Sequence, residues 1–452
     1  MPPPTPPCDL SIIIPALNEA DNLAELLPAI RAALAPLGLR YELIVADEDA
    51  DERTRQTIEH NGARLAVAGV PGYGAALAAG FGLANGQYII TMDADQSHPA
   101  AFLCDLWAAR HTAEVVIASR YVAGGRAEMP ALRWVLSRVL NLVFSRGLDL
   151  HVRDMSSGYR LYAAHVVKGR QTVGQHFDSL QELLVAALIR GYRLREIPFD
   201  YRPRRHGATH VRLIHFGLAY LRTFSRLWRL RNSIASADYD ARAYNSLVPP
   251  QRYWQRQRYR HVTGLLSGQG RVLDVGCGSS RILGALPAGS VALDLQSRKL
   301  RFARRHGHPL VQGSALTLPI ESAAFPCVIC SQVIEHIPRG SVLAELDRVL
   351  APGGLLILGT PDYAMWQWRT TEAIYKLLLP QAYGDEHITQ YTNRELVHEF
   401  VDQRHYRLEA VRYILKGELI LALRKPQPAP VPAAARSVQP AVTAGMKLGG
   451  LA

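Results

Sequence analysis

The sequence is poor in cysteine, with five residues in 452. They are scattered and odd in number, which excludes a disulfide-stapled secreted scaffold and fits a reducing compartment. Cys327 and Cys330 have C-x-x-C spacing. They lie inside the apolar run PCVICSQV and have no second pair, so buried core thiols are expected rather than a zinc or redox site. Long apolar runs are also missing, since none approaches the ~20 residues needed to span a bilayer. The opening MPPPTPPCDL lacks a basic stretch followed by an apolar core, so no signal peptide is expected. No internal repeat is visible, and residues 190–231 contain no lysine.

What is present is globular: 48% hydrophobic and 20% charged residues. A chain of 452 residues is too long for one ordinary core, so two domains are expected. The net charge of +12 is unevenly placed, because residues 190–231 hold eleven arginines against Glu196 and Asp200. Such a stripe suits a membrane surface, phosphate substrates or nucleic acid. No aromatic platforms stand beside the charges, so no nucleic-acid partner is expected.

The first half alternates strand-like runs at 11–14, 42–46, 88–92 and 114–119 with helix-like segments at 19–35, 72–84 and after Pro99. A break near 233–240 precedes a second series at 271–275, 291–293, 328–330 and 355–358, closed by a pair at 407–413 and 418–423. This rhythm predicts two α/β domains with mostly parallel sheets, and ligands at the carboxyl ends of the strands. Asn18, Asp47, Asp93 and Arg120 all fall just past strand ends.

The most informative stretch is 88–99, YIITMDADQSHP. Asp93 and Asp95 stand one residue apart at a strand end, where two carboxylates repel unless a cation lies between them. Mg2+ or Mn2+ commonly binds one or two carboxylates together with substrate phosphates. The competing reading is a polar strand end with an Asp capping the next helix.

Seven segments decide between these readings. SIIIPALNEADNL, VADEDADERT, MDADQSHP, ASRYVAGG, ALRWVLSRVLN, RDMSSGYRLY and RPRRHGATH follow one another in the order found in polyprenyl-phosphate glycosyltransferases. Residues 9–215 thereby resemble the dolichol-phosphate mannose synthases, of the family-2, GT-A-fold, inverting class. The resemblance implies that Pro15, Leu17, Glu19, Val45 and Asp47 line the nucleotide. It implies that Asp93, Ala94 and Asp95 meet the diphosphate and its Mg2+ or Mn2+, with Ser97 as the next metal contact. Catalysis would rest on Asp95 and Arg120. Arg120 would stand between leaving and incoming phosphates, Arg133 and Ser137 would hold the acceptor phosphate, and Arg204 and His210 would lie over the donor phosphates. A polyprenyl phosphate is already ionised at pH 7, so the chemistry calls for charge neutralisation rather than a strong base. The chain departs from the pattern at Glu48, Asp49, Ala50, Asp178 and His210, which leaves GDP- and UDP-hexoses both open. Residues 211–230 read as a basic amphipathic helix, either lying on anionic lipid or packed on its own domain.

The second half carries VLDVGCG, QGSALTLPI, SQVIEHIP and ELDRVLAPGGLLILGTPD, and residues 239–424 resemble class I S-adenosylmethionine methyltransferases of the small-molecule type. By that resemblance Asp274, Gly276 and Gly278 hold the methionine part, and Asp294 the ribose. Ser314 and Ala315 flank the adenine, and Ser331 and Gln332 lie near the donor sulfur. Ser280 replaces a third glycine, and Ser314 replaces the usual Asp. Glu335 and His336 are candidates for a base, with His387 and Tyr391 behind them.

The expected organisation is a disordered start at 1–8, a GT-A domain at 9–210, a helix and linker at 211–238, a methyltransferase domain of Rossmann-like fold at 239–425, and a disordered Pro/Ala-rich tail at 426–452. The expected activities are hexose transfer, with mannose favoured, from a nucleotide-sugar donor to polyprenyl phosphate, and methylation of an unidentified acceptor. The expected place is cytoplasmic, peripheral on the cytoplasmic membrane face. The alternative is a glycosyltransferase acting on a non-lipid acceptor, with the second half a S-adenosylmethionine-binding regulatory module.

Overall fold

The computed structural model describes residues 8–169, 174, 176–202, 213–378 and 387–427. The first domain is built on a seven-stranded sheet. From edge to edge its strands are Arg64–Val67, Tyr41–Asp47, Cys8–Pro15, Gly86–Thr91, Arg160–Ala163, Val115–Ser119 and Leu194–Pro198. Only Arg160–Ala163 runs antiparallel to its neighbours. The central strands are almost continuously apolar because helices cover both faces. Ile12 and Ile14 pack with Leu23, Leu27 and Leu103 on one face, while Ile13 packs with Leu77, Phe81 and Leu180 on the other.

The reversed strand positions the site. Arg160 pairs with Thr91, the last residue of Gly86–Thr91. The loop entering the reversed strand therefore arrives at the carboxyl mouth of the parallel strands, where Asp93 and Asp95 emerge.

The second domain has its own seven-stranded sheet, ordered Leu310–Gln312, Val291–Asp294, Val272–Val275, Phe325–Ser331, Leu350–Pro361, Glu418–Arg424 and Arg407–Ile414. Glu418–Arg424 is antiparallel to both neighbours. Helix Ser341–Val349 buries Val342, Leu343, Leu346 and Val349, a helical stripe set by its sequence. Cys327 and Cys330 are free and buried, and they belong to separate core clusters. The expectation of core thiols holds.

Two boundaries change. Cys8, expected in the disordered start, begins the first strand and pairs with Gly86, because its side chain is buried against the sheet. Pro426 and Gln427 are described, while residues 1–7 and 428–452 lie outside the described residues. The basic segment forms helix Leu213–Arg231, with residues 211 and 212 outside the described residues. It packs on its own domain through Tyr220, Thr223, Leu227 and Arg231. Thr223 donates to Asp178 at 2.8 Å, and Arg226 pairs with Glu182 at 2.9 Å. Arg231 is buried, donating to the carbonyls of Leu148 and Asp149 and to Asp238 of the linker. Two of the eleven arginines are thus neutralised inside the protein. Ala237 N–H of the linker donates to Ile189 O, and Arg301 Nε of the second domain donates to Arg190 O of the first, each at 2.9 Å.

Candidate functional site

Asp93 and Asp95 line a cavity of about 200 Å³ together with His98, Arg120, Arg133, Ser137, Ser157 and Gly158. The side chains around the pair show how it is held. Asp95 Oδ1 accepts from the backbone N–H and the hydroxyl of Ser97, at 3.1 and 2.6 Å. Asp93 Oδ1 accepts from the Tyr73 hydroxyl at 3.1 Å. His98 is buried, with Nδ1 accepting from Asp93 N–H at 2.9 Å and Nε2 lying 3.7 Å from Asp93 Oδ2. Burial pushes the Asp93 carboxyl above its ordinary value, His98 pulls it back, and Asp95 adds to the rise. Burial also holds His98 below its usual range.

Ser97 does not face the cavity. It is fully buried and its hydroxyl is spent on Asp95, so it supports an acid rather than completing a metal shell. The neighbouring Gln96 donates to Glu25. The side chain beside the pair is His98. The sequence carries that residue in MDADQSHP, three positions past Asp95.

Opposite the acids stands Arg120. Its Nε and Nη2 fork onto Asp154, each at 2.7 Å, and Nη2 also reaches Ser156 Oγ at 2.7 Å. Burial alone would raise the Asp154 carboxyl, but the Arg120 charge and hydrogen bonds hold it below its ordinary value. Arg133 and Ser137 project from helix Ala131–Gly147, and the Tyr121 hydroxyl donates to Ser137 Oγ at 2.8 Å. Asn141 on the same helix donates to Ser156 Oγ and accepts from Met155 N–H, which fixes the helix to the loop of the reversed strand. Asp154, Ser156 and Tyr121 and their partners Arg120, Ser137 and Asn141 all lie within motifs visible in the sequence; which pairs with which is shown only by the structure.

The cavity suits a cation and a phosphate. The Ser157 hydroxyl is buried with no partner, and it lines the cavity. A Cβ on Gly158 would fall 2.5 Å from the Tyr73 hydroxyl and 3.1 Å from Asp93 Oδ1, so only glycine leaves the acids their room.

The remaining nucleotide positions divide. Leu17 is exposed and Glu19 is half-buried, accepting from Asn22. Asp47 accepts from the N–H groups of Asn18 and Asp49, so it shapes the loop after the first strand. Val45 and Ala94 are closed inside the core, which withdraws their side chains from any nucleotide, and Pro15 is likewise buried. Arg204 and His210 lie outside the described residues.

In the second domain Asp274, Gly276, Gly278 and Asp294 gather at the strand ends. Asp294 accepts from Gly278 N–H at 2.9 Å and from Gln296 N–H at 2.8 Å. Burial, with Asp294 close by, pushes the Asp274 carboxyl up to about 7. Asp240, in helix Tyr239–Tyr244, accepts from the N–H and hydroxyl of Ser279 and from Lys299. Burial opposes its charge, but Lys299 and Ser279 bring its carboxyl down to about 2. Ser331 Oγ and Gln332 Nε2 are buried without partners. These orphan groups, beside a Gly-rich turn, fit a polar cofactor such as S-adenosylmethionine.

Ser280 caps the turn Arg281–Ala285. The Ser314 hydroxyl accepts from Leu316 N–H of its own turn, and Ala315 is buried. Glu335, His336 and His387 converge, and burial pushes Glu335 up to about 7 against the pull of His336. Tyr391 is a core residue.

Residues 11–169 match the family described as Glycosyl transferase family 2, and residues 273–358 match the family described as Methyltransferase domain. The chain is 30% identical over 234 residues to a dolichol-phosphate mannosyltransferase of Pyrococcus furiosus, covering 50% of this chain and 65% of that protein. It thus spans less than two thirds of that relative. An uncharacterized glycosyltransferase of Mycobacterium bovis is 30% identical over 207 residues, which cover 45% of this chain and 89% of its own length. A solved structure of glucosyl-3-phosphoglycerate synthase from Mycobacterium tuberculosis, with Mn2+, UDP and glucosyl-3-phosphoglycerate, covers 50% of this chain and 81% of its own. Its identity is 18% and its TM-score 0.39. The chain belongs to the family 2 glycosyltransferases, and a methyltransferase domain is fused behind its glycosyltransferase half.

Proposed function

We propose that the first domain moves a hexose from a nucleoside diphosphate to a polyprenyl phosphate at a membrane surface. The observation that carries this reading is one cavity in which Asp93 and Asp95 meet Arg120, Arg133 and Ser137. Acids for a cation and a basic pocket for a second anion share it. A divalent ion bound by the acids would neutralise the departing diphosphate. Arg120, held rigid by Asp154, supplies a fixed positive charge between the two phosphates. Arg133 and Ser137 orient the acceptor, whose ionised oxygen attacks the anomeric carbon in line and inverts it. GDP-mannose is the favoured donor, from the likeness to the Pyrococcus furiosus mannosyltransferase.

A lipid acceptor is supported by the helix that bears Arg133 and Ser137. Leu132, Val135, Leu136, Val139, Leu142 and Val143 are between 47% and 71% exposed. Their spacing puts them on one helical face, and Arg133, Arg138 and Arg146 flank it. An apolar face rimmed by arginines suits an interfacial helix on anionic lipid. No helix among the described residues is long and apolar enough to cross a membrane. We expect the full chain to float with vesicles containing anionic lipid, and Leu136→Ser/Val139→Ser to reduce flotation and lipid-acceptor turnover together. Unchanged flotation in that variant would remove the helix from the membrane contact.

The second domain is read as an S-adenosylmethionine methyltransferase acting on the lipid-linked sugar or another small acceptor. When bound, the cofactor supplies an activated methyl group. Asp274 and Asp294 with the Gly-rich turn would hold it, and Glu335 and His336 follow Ser331 and Gln332 just past the same strand end. The convergence of Glu335, His336 and His387 favours a catalytic over a purely regulatory module. Gly276 adopts φ 72°, and a Cβ there would lie 2.2 Å from Val333 Cγ2. The left-handed conformation alone costs an L side chain about 1–2 kcal/mol. Gly276→Ala is therefore expected to weaken S-adenosylmethionine binding about tenfold or more in calorimetric titration, with sugar transfer unchanged.

A further inference from the structure

Glu335 and His336 occupy the short turn Ile334–His336, just past the end of strand Phe325–Ser331. His387 arrives from a segment 51 residues later in the chain. Glu335, His336 and His387 each offer a ligand atom, and these atoms lie within 4.8 Å of one another. Glu335 is fully buried. Its Oε2 accepts from Thr360 Oγ1 at 3.2 Å, while Oε1 has no partner. Leaving a carboxylate oxygen buried and unbonded is costly, and folded proteins relieve that cost by pairing or metal coordination.

The surroundings of His387 are built to aim it. Its Nδ1 lies 2.5 Å from the Tyr363 hydroxyl, and its ring stacks on Trp368. Glu372 Oε1 lies 3.9 Å from the same Nδ1, and polar partners of this kind on one ring nitrogen orient a metal-binding imidazole. Thr389 donates its N–H to Glu335 O at 3.0 Å and its hydroxyl to Ile337 O at 2.7 Å, so the segment bearing His387 is fastened to the turn bearing the other two.

We propose that Glu335, His336 and His387 form a binding site for a divalent first-row metal ion, which holds the hydroxyl of the methyl acceptor. A set of two imidazoles and one carboxylate leaves coordination positions open, and imidazole selects such ions over Mg2+. Metal coordination lowers the pKa of a bound hydroxyl. The hydroxyl proton passes to bulk base, and the oxygen bonds to the methyl carbon. The carbon–sulfur bond breaks with its electron pair remaining on sulfur. The acceptor role rests on the methyltransferase reading; the ion site itself does not.

The test uses the full chain carrying Asp93→Asn and Asp95→Asn, so that the first domain contributes no carboxylate pair. Mn2+ is titrated in the absence of nucleotide and S-adenosylmethionine, and its bound fraction and 14N couplings are read by pulsed EPR. One ion per chain with imidazole nitrogen couplings is expected. Glu335→Gln and His387→Gln, both close in shape, should weaken binding at least roughly tenfold, and Tyr363→Phe about 10–100-fold. Absence of a bound ion, or one without nitrogen coupling that ignores these substitutions, would overturn the site. S-adenosylmethionine binding is titrated in parallel: its failure with the ion site intact would overturn the methyltransferase reading alone.

Discussion

Asp93→Asn is expected to lower sugar transfer by about 10³-fold or more, while the metal-free protein keeps or gains stability. A divalent ion contributes several kcal/mol to transition-state charge stabilisation, and each 1.36 kcal/mol is a factor of ten in rate. The amide can still accept from the Tyr73 hydroxyl, so the local geometry survives. The stability effect has the opposite sign. Burial raises the Asp93 carboxyl, so the folded state holds this proton more tightly than the unfolded state does. Such a group costs stability progressively as pH climbs from the ordinary carboxylate value through the raised one, and the full cost is present above it. At neutral pH the metal-free wild type bears that cost and Asp93→Asn does not. Thermal unfolding with and without Mn2+ checks this in a Glu335→Gln/His387→Gln background: added metal should stabilise the protein with Asp93 intact and leave the Asp93→Asn variant unmoved. A large drop in metal-free stability on Asp93→Asn would show that the acid is structural.

The second large effect falls on Asp154→Ala. This acid never touches substrate in the proposed reaction, yet it is fully buried and receives the Arg120 fork. Removing it leaves Arg120, with a side chain only 9% exposed, as an uncompensated buried cation. Breaking a buried pair in this way costs about 3–5 kcal/mol. Chemical denaturation should report that loss, and sugar transfer should fall with it. Arg120→Lys separates charge from geometry. Lysine keeps the charge but cannot make two parallel bonds to Asp154, so kcat should fall more than the affinity for the donor. The pair also carries a pH signature. The Asp154 carboxyl sits below its ordinary value in the folded state, so its stabilisation is present above that ordinary value and is lost as pH falls through the lowered one. The wild type should therefore lose stability in acid more steeply than Asp154→Ala.

Much of the fold was legible because its signals are local. Cys8–Pro15, Tyr41–Asp47 and Gly86–Thr91 are apolar runs ending in acids or turns, and their boundaries shifted by only a few residues. The strands without a clear apolar run are short or mixed in polarity. Leu194–Pro198 reads LREIP, half-buried at an edge, and Arg160–Ala163 hides a fully buried arginine. Arg160 gives its Nη groups to the carbonyls of Met155 and Leu180, a pairing no spacing rule foretells.

The site followed the same division. Residues announced by motif, such as Asp93, Asp95, Arg120, Arg133 and Ser137, do meet in one cavity. The bonds that hold them there, from Tyr73, His98, Asp154 and Asn141, appear only in three dimensions. Ser97 shows the reverse case, a motif position whose hydroxyl is consumed by its neighbour. The basic segment shows it again. Its arginines left lipid binding and packing on its own domain both open, and Arg226 and Arg231 are spent on Glu182 and Asp238. Ala131–Gly147 carries an exposed apolar face, whose helical period the sequence displayed but whose exposure it did not.

The most direct test of the account is mass spectrometry of the lipid phase after the full chain is incubated with a short polyprenyl phosphate, Mn2+ and a panel of GDP- and UDP-hexoses. The account predicts a polyprenyl phosphohexose, absent with Asp93→Asn and sharply reduced with Arg133→Ala/Ser137→Ala. Release of nucleoside diphosphate with the sugar found only on water-soluble acceptors, or transfer undiminished in the Arg133→Ala/Ser137→Ala protein, would contradict it.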